Sequence, residues 1–294
     1  MLIFPETKFD FCGDEYIYAE ISTEMRIESN FKAISITNEL RKRNIPGMIE
    51  VYPSNASYLI RYDPTAISPH HLLDYLQEID QQKSHRSELY FSSRIIEIPV
   101  WYNDKITKNT IERYQHLQPE AGGDDFIHVM RANGFTEADA FIAAHSSPPY
   151  FITSLGFKPG TAWGFPLGVP QNKIIQAPKY PSPRSYTPGE ALGIGGAFTV
   201  VYPTESTGSY QLIGIAAVPV YDPGQNLSLF RDSFFLAKPG DLWKYRPITE
   251  AEYYNIREEV EKRTYEYKVK AIEFSVEQYD EKGDHYISQL MEGF

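Results

Sequence analysis

A short segment rich in proline carries the residues with the clearest capacity for chemistry. It reads KYPSPR over residues 179–184. The prolines restrict the backbone, so Lys179, Tyr180 and Arg184 are held at a fixed spacing. Arginine offers a planar fork to a carboxylate or carbonyl, and lysine offers a point charge. In an acidic protein such a segment predicts a site that collects an anionic substrate, and a solvated loop is the alternative.

A histidine followed by two serines is the second candidate. His145 precedes Ser146 and Ser147, and imidazole can act as a general base near neutral pH. No acid close in sequence completes a catalytic triad. His145 is therefore predicted either to act as an acid or base, or to orient its neighbours from the end of a helix.

Two further patterns are interpreted as structural. His70 and His71 fall in the first turn of a predicted helix, where adjacent side chains point in different directions, so a solvated pair is expected. The glycines of GIGG at 193–196 lead into the β-branched run TVV instead of a helix, which argues against a dinucleotide loop. These glycines predict a bulge or a close backbone approach within a strand.

The composition narrows the class of protein. The 294 residues contain 28 Lys+Arg against 39 Asp+Glu, and the net charge of −11 argues against binding to nucleic acid or to an anionic membrane. The single cysteine, Cys12, has no second thiol for a disulfide or a zinc cluster, so we expect no metal site and a cytoplasmic location. Neither a signal peptide nor a membrane span is predicted. The 22 tyrosines and 17 phenylalanines favour a surface that meets a partner.

The elements that must position these residues fall into three predicted parts. Residues 1–90 show a β-α-β-β-α pattern, typical of a small α+β domain, with Ser68 as the N-cap of the second helix and a linker over 80–87. Residues 91–248 begin with a strand and a helical insertion, and then show short strands separated by Gly and Pro, which predict a β-barrel. Residues 249–294 form a helical extension and a tail that is partly disordered beyond 281.

Two capping boxes mark helices in the second and third parts. Thr136 with Asp139 predicts a helix that ends beside His145. Thr249 with Glu252 predicts the helix that follows the barrel. No P-loop, G-x-S-x-G elbow or H-E-x-x-H motif is present, so the sequence shows no complete catalytic set.

Longer runs around these residues resemble a known family. The runs are HSSPPYFITSLGFKPG at 145–160, KYPSPRSYTPGEALGIGGAFTVVYPTESTGSYQLIG at 179–214 and KPGD at 238–241. They resemble allophanate hydrolase subunit 1, a family that includes the B subunit of bacterial 5-oxoprolinase, the kinase-inhibitor protein of sporulating bacilli and the carboxyltransferase segment (subdomains C and D) of urea carboxylase. With GDEYIYAEI and SYLIRYDP, the resemblance extends from Gly13 to Ile248.

The resemblance implies a fold and a set of partners. It implies an α+β N-terminal domain, a cyclophilin-like β-barrel domain and a second cyclophilin-like subunit, equivalent to carboxyltransferase subdomains A and B, that completes the active site. The KYPSPR segment and the C-terminal helix are most similar to the urea-carboxylase branch. GTAWG at 160–164 and IAA at 215–217 depart from the usual pattern, which leaves the substrate open.

Three functions follow as expectations from the resemblance. The first is a subunit that transfers a carboxyl group from carboxybiotin to a urea-like amide or amidine nitrogen, with a biotin carboxylase that uses ATP and a biotin carrier as partners. The second is the B subunit of an ATP-dependent 5-oxoprolinase with a LamB-like third subunit, and the third is an inhibitor of a histidine kinase. From their motif positions, the substrate-binding residues are expected to be Lys179, Tyr180, Arg184, Tyr202 and Gln211, with His145 as a weaker catalytic candidate.

Overall fold

The chain forms two compact units. The computed structural model describes residues 6–119 and 122–294. One unit contains the chain up to Ser93 together with Ala271–Phe294, and the other contains Arg94–Lys270. This grouping differs from the predicted three-part division, because the predicted extension over 249–294 is shared between the two units.

The first unit is built on a four-stranded antiparallel sheet covered by two helices. The strands are β1 (Lys8–Cys12), β2 (Tyr16–Glu20), β3 (Met48–Pro53) and β4 (Ser57–Tyr62), in the order β1-β2-β4-β3, and the helices are α1 (Ile27–Arg43) and α2 (Pro69–Gln82). Alternate side chains of a strand point to the same face, so Ile17 and Ile60 are buried together with Leu40 and Leu76 of the helices.

In this unit the predicted helix cap is present, but one strand and one helix end differ from the sequence prediction. The Ser68 hydroxyl accepts a hydrogen bond from the His71 N–H at 3.2 Å, which confirms the predicted N-cap. Strand β1 was not predicted: Phe9 and Phe11 alternate with Lys8 and Asp10 along it, but four of its five side chains are exposed. The predicted linker is also wrong at its start, since α2 continues to Gln82 and the Asp80 carboxylate lies 2.9 Å from the buried Lys32 ammonium.

The second unit contains a closed barrel of seven strands. The strands are β5 (Tyr90–Tyr102), β6 (Tyr150–Leu155), β7 (Ala162–Pro166), β9 (Ala191–Gly195), β10 (Phe198–Val201), β12 (Gln211–Ala216) and β13 (Leu242–Pro247), in the order β12-β9-β10-β7-β6-β13-β5. Pairing of Gly214 with Tyr102 joins the first and last strands, and β13 and β5 are parallel whereas the other neighbours are antiparallel. The predicted barrel is confirmed. Two short strands, β8 (Arg184–Thr187) and β11 (Ser206–Gly208), pair with each other.

Among the described residues, four α-helices accompany the barrel. They are α3 (Lys105–Tyr114), α4 (Asp125–Ala132), α5 (Ala138–Ser146) and α6 (Glu250–Glu261). Phe126 of α4 and Phe141 of α5 pack into the same apolar core as Ile98 and Ile213 of the strands. The helical insertion therefore supplies part of the core of the barrel.

One of the two predicted capping boxes is present. The Thr249 hydroxyl accepts a hydrogen bond from the Glu252 N–H at 3.2 Å at the start of α6, as predicted. The box at Thr136 is wrong, because Glu137 occupies the N-cap position of α5 and makes no side-chain capping bond. The predicted position of His145 is confirmed, since it lies in the last turn of α5.

The C-terminal segment is ordered. Strand β14 (Val269–Ser275) is followed by α7 (Val276–Lys282) and α8 (Asp284–Met291). The Phe274 ring stacks on Phe91 with their centroids 5.3 Å apart, and Tyr286 of α8 is buried. The predicted disorder beyond 281 is therefore wrong, because the aromatic side chains of this segment have a core to enter. Within the described part of the chain, no helix combines the length and apolarity needed to cross a bilayer.

Candidate functional site

The proline-rich segment is fixed to the barrel by its backbone. Ala177 and Gly196 exchange two backbone hydrogen bonds, of 3.0 Å and 2.7 Å. The Tyr180 N–H donates to the Ser209 carbonyl at 2.7 Å. We call residues 177–187 the cationic segment. Its backbone is held on both sides of Lys179, in agreement with the predicted stiffness.

Lys179 is the exposed cation of this segment. Its Nζ lies 5.2 Å from the ring centroid of Tyr210 and 5.8 Å from that of Trp163, within the range of a cation–π interaction. Trp163 also contacts Phe198, with their ring centroids 5.5 Å apart, and Phe198 contacts Phe165 at 5.7 Å. The rings of Trp163, Phe165 and Phe198 are partly exposed, so the Lys179 ammonium lies at the edge of an accessible aromatic surface.

Arg184 and Tyr180 point inward, toward a carboxylate. Arg184 is fully buried, and its Nη2 donates to the Tyr210 carbonyl at 2.7 Å. Its Nη1 lies 3.6 Å from Oδ2 of Asp125, and its guanidinium lies 4.6 Å from the ring centroid of Tyr180. The Tyr180 hydroxyl donates to Oδ1 of Asp125. The two residues therefore anchor the cationic segment, while Lys179 projects from it.

Asp125 is the central residue that the sequence did not reveal. The Asp124 carboxylate accepts from the Ile127 N–H at 3.0 Å and caps α4, which leaves the carboxylate of Asp125 for contacts outside the helix. Oδ2 of Asp125 accepts from the Leu212 N–H of β12 at 2.8 Å. The only signal in the sequence is the doubled acid at the start of a helix, and such a pair is ordinarily explained by the helix dipole.

Burial shifts the pKa values of this cluster. Burial raises the pKa of the Asp125 carboxyl, while the hydrogen bonds from Tyr180 and Leu212 and the charge of Arg184 oppose that rise. The pKa of the Tyr180 hydroxyl is raised well above its usual value, first by burial and then by the Asp125 charge. The Tyr180 hydroxyl therefore stays protonated at neutral pH and donates its hydrogen bond to the carboxylate.

Gln211 and Tyr202 complete the buried cluster. Nε2 of Gln211 donates to Oε1 of Gln118 at 2.8 Å and to the Pro178 carbonyl at 2.9 Å. Tyr202 is almost fully buried, and burial raises the pKa of its hydroxyl, which the nearby Arg184 charge counteracts. Among the described side chains, Oε1 of Gln211 and Nε and Nη1 of Arg184 are buried polar atoms without a hydrogen-bond partner. Such atoms mark a place where the hydrogen-bonding capacity of buried side chains is incompletely used.

His145 lies in a different cluster inside the barrel. Its Nδ1 is 2.9 Å from the Tyr102 hydroxyl, and its Nε2 is 3.1 Å from the Thr199 hydroxyl. The ring stacks on Tyr245, with their centroids 5.5 Å apart, and the Tyr150 hydroxyl donates to the His145 carbonyl at 2.9 Å. Burial lowers the pKa of the imidazole to about 3. A neutral ring with both nitrogens engaged can orient these hydroxyls.

The residues interpreted as structural agree with that interpretation. A Cβ on Gly195 would lie 2.4 Å from Cε1 of Tyr210, so the close approach in β9 is made by a tyrosine ring. The pairing of β12 with β9 also shifts register between Leu212 and Gly214. His70 and His71 are both exposed. Within residues 6–119 and 122–294, no group of three His, Cys, Asp or Glu side chains is placed to hold a metal ion.

Comparison with known proteins gives consistent matches. A family model described as carboxyltransferase domain, subdomain C and D, matches residues 7–230. The B subunit of 5-oxoprolinase from Escherichia coli O157:H7 is 30% identical over 240 residues, which cover 81% of this chain and 94% of that protein. The urea amidolyase of Lachancea kluyveri is 26% identical over 284 residues, which cover 94% of this chain but only 15% of that protein.

A solved structure matches almost the whole chain. The urea carboxylase of Kluyveromyces lactis superposes with a TM-score of 0.78 over 98% of this chain and 26% of that protein, at 21% identity. At this identity the match establishes the fold. It includes the C-terminal segment, which lies beyond the part of the chain that the family model matches.

Proposed function

The chain belongs to the family of carboxyltransferase domains, subdomains C and D, and we propose that it supplies one half of a composite carboxyltransferase site. In this proposal the complex transfers a carboxyl group from carboxybiotin to a urea-like amide or amidine nitrogen. A second cyclophilin-like subunit, equivalent to subdomains A and B, supplies the other half. A biotin carboxylase, which uses ATP, and a biotin carrier complete the assembly. We place this assembly in the cytoplasm and take the barrel of this chain as cyclophilin-like.

The position of Lys179 is the observation that carries the proposal. The side chain is exposed, yet the residues on both sides of it are bonded to the barrel. A lysine on a free loop would be ordered only on meeting its ligand, and that ordering costs conformational entropy. A lysine held at the edge of an aromatic surface needs less ordering and is suited to meet an anionic group presented by a partner.

The residues present fit a ureido ring that carries a carboxyl group. The half-exposed rings of Trp163, Phe165 and Phe198 offer an apolar wall, and Lys179 offers a cation beside it. When bound, carboxybiotin supplies an activated carboxyl group. Lys179 would hold the negative charge of that group, and a fixed cation near developing charge is worth about 3 kcal/mol of barrier in comparable sites.

The buried residues have a supporting part in this proposal. Tyr180, Arg184, Tyr202 and Gln211 form the buried wall behind Lys179. Tyr180 bonds the cationic segment to Asp125 of α4, Arg184 bonds it to the Tyr210 carbonyl, and Gln211 of β12 bonds to the Pro178 carbonyl. His145 orients the hydroxyls of Tyr102 and Thr199 inside the barrel. This arrangement leaves the chain without a solvent-exposed general base from the predicted set. We therefore propose that the proton acceptor comes from the partner and that the chain is inactive alone.

A component of a lactam hydrolase is the second candidate. The E. coli relative, named as the B subunit of 5-oxoprolinase, is matched over 94% of its own length, whereas the urea amidolyase is matched over 15%. In that case the same surface would meet 5-oxoproline, whose carboxylate also suits Lys179, and a LamB-like third subunit would replace the biotin proteins.

Affinity purification of the intact chain from its native cells tests both proposals. The co-eluting subunits are identified by mass spectrometry, and the eluate is probed for protein-bound biotin. The carboxyltransferase proposal expects a biotinylated partner and carboxylation that depends on ATP and bicarbonate. ATP-dependent opening of 5-oxoproline without biotin would select the second candidate, and a chain that elutes without any partner would contradict both.

A further inference from the structure

A buried carboxylate lies where three separate parts of the chain meet. Asp125 is in the first turn of α4, the cationic segment begins more than 50 residues later, and Leu212 lies in β12. Its side chain is fully buried. One oxygen accepts from the Tyr180 hydroxyl, and the other accepts from the Leu212 N–H at 2.8 Å. The contacts of this carboxylate therefore connect a helix, a loop and a barrel strand.

Arg184, the buried cation of the cationic segment, depends on the Asp125 carboxylate. Nη1 of Arg184 lies 3.6 Å from Oδ2 of Asp125, and both side chains are fully buried. A buried guanidinium without a counter-ion is costly, because it loses water without regaining an opposite charge. Arg184 is the last residue of the proline-rich run, and Tyr180 directly follows Lys179. Asp125 thus holds the segment at two points that lie on the C-terminal side of Lys179.

From these contacts we propose that Asp125 is a positioning residue, which fixes the cationic segment and so sets the place of the Lys179 ammonium beside Trp163 and Tyr210. The inference rests on the proposed function for its catalytic meaning. Asp125 does not touch the substrate surface, and it acts through Tyr180 and Arg184. Displacement of a positioned group by about 1 Å can cost about 100-fold in rate, so the effect on turnover is expected to exceed the effect on folding.

The experiment compares two buried aspartates of the same unit. Asp125→Asn keeps the shape of the side chain but removes its charge. The control is Asp104→Asn, because Asp104 is also fully buried and accepts from the Ile106 and Thr107 N–H groups at 2.8 Å each, in the first turn of α3. Tyr180→Phe removes one hydroxyl from the cluster and serves as the milder variant if Asp125→Asn does not fold.

Hydrogen exchange followed by mass spectrometry gives a readout that does not depend on the reaction. We expect Asp125→Asn and Tyr180→Phe to exchange faster over residues 177–187 and 209–212, by about tenfold, whereas Asp104→Asn exchanges faster mainly around α3 and at Ser185, which the Tyr114 hydroxyl of α3 meets at 2.8 Å. Unchanged exchange of the cationic segment in both test variants, or an equal increase in Asp104→Asn, would overturn the proposal.

Turnover of the assembled complex gives the second readout. Asp125→Asn is expected to lower kcat/KM by about 10- to 100-fold at a temperature where the variant is fully folded, with most of the loss in kcat. A faster-exchanging segment with unchanged kcat/KM would overturn the positioning role. A wild-type complex that shows neither carboxyl transfer nor lactam opening would refute the proposed function instead, and the exchange comparison would still decide whether Asp125 fixes the segment.

Discussion

The pH dependence of stability tests the assignment of His145 as an orienting residue. The imidazole is fully buried, and burial lowers its pKa to about 3, against 6.5 for an ordinary histidine. In the unfolded chain the ring takes up a proton below about pH 6.5, whereas in the folded barrel it stays neutral. Its contribution to stability is therefore fully present above pH 6.5 and is lost as the pH falls toward 3.

The slope of this loss follows from linkage. Each pH unit between the two pKa values removes about 1.4 kcal/mol, so wild type is expected to lose about 2 to 3 kcal/mol from this residue between pH 6.5 and pH 4.5. His145→Phe removes the titrating group and leaves the hydroxyls of Tyr102 and Thr199 without their partner. It is expected to be less stable than wild type by about 2 to 4 kcal/mol at pH 7, and this difference should shrink as the pH falls.

Urea unfolding followed by tryptophan fluorescence measures the difference. All three tryptophans, Trp101, Trp163 and Trp243, lie in the second unit, so the signal reports the barrel. Thr199→Val is the matched control, because it removes one hydrogen bond to the ring but keeps the imidazole. Its loss of stability should be the same at every pH. A constant difference between wild type and His145→Phe from pH 7 to pH 4.5 would refute the assignment and return His145 to the candidates for acid–base chemistry.

Three further substitutions test the packing that surrounds the site. Arg184→Met should destabilise the barrel by about 3 kcal/mol in urea, because it leaves the Asp125 carboxylate buried without its cation, and a loss below 1 kcal/mol would speak against the ion pair. Gly195→Ala should cost about 1 to 3 kcal/mol, since the new Cβ meets the Tyr210 ring, and equal stability of wild type and variant would show that the ring moves freely. Thr249→Ala should cost about 1 kcal/mol through loss of the α6 cap, with no effect on turnover in the complex, and a lower turnover would give that helix a part in the site.

The sequence predicted the features that depend on neighbouring residues. The caps at Ser68 and Thr249 and the individual strands of the barrel each follow from residues within a few positions of one another. The stiffness predicted around Lys179 from its prolines is reinforced by bonds to Gly196 and Ser209, which lie far along the chain. The capping box predicted at Thr136 was wrong, because its sequence pattern is incomplete. The box at Thr136 has the shorter acid in the fourth position, and the N-cap of the helix lies one residue later than that box requires.

Tertiary pairing could not be predicted in the same way. The Tyr180 hydroxyl meets a carboxylate 55 positions earlier in the chain, and Lys32 meets Asp80 at a separation of 48. Nothing in the local sequence of Asp125 or Asp80 distinguishes these side chains from solvated acids. For the same reason, the burial of Arg184 beside the Asp125 carboxylate could not be predicted.

In the proposed assembly this chain supplies half of a site, and Lys179 faces the space shared with the partner. The most direct measurement is turnover of the purified chain, of its co-purified partner and of the two mixed, repeated with Lys179→Ala. Because Lys179 is exposed, its removal should change stability by less than about 1 kcal/mol. We expect turnover only in the mixture, and a loss of about 100-fold with Lys179→Ala. Full activity of the chain alone, or of the mixture that carries Lys179→Ala, would show that the site is not shared or that Lys179 has no part in it.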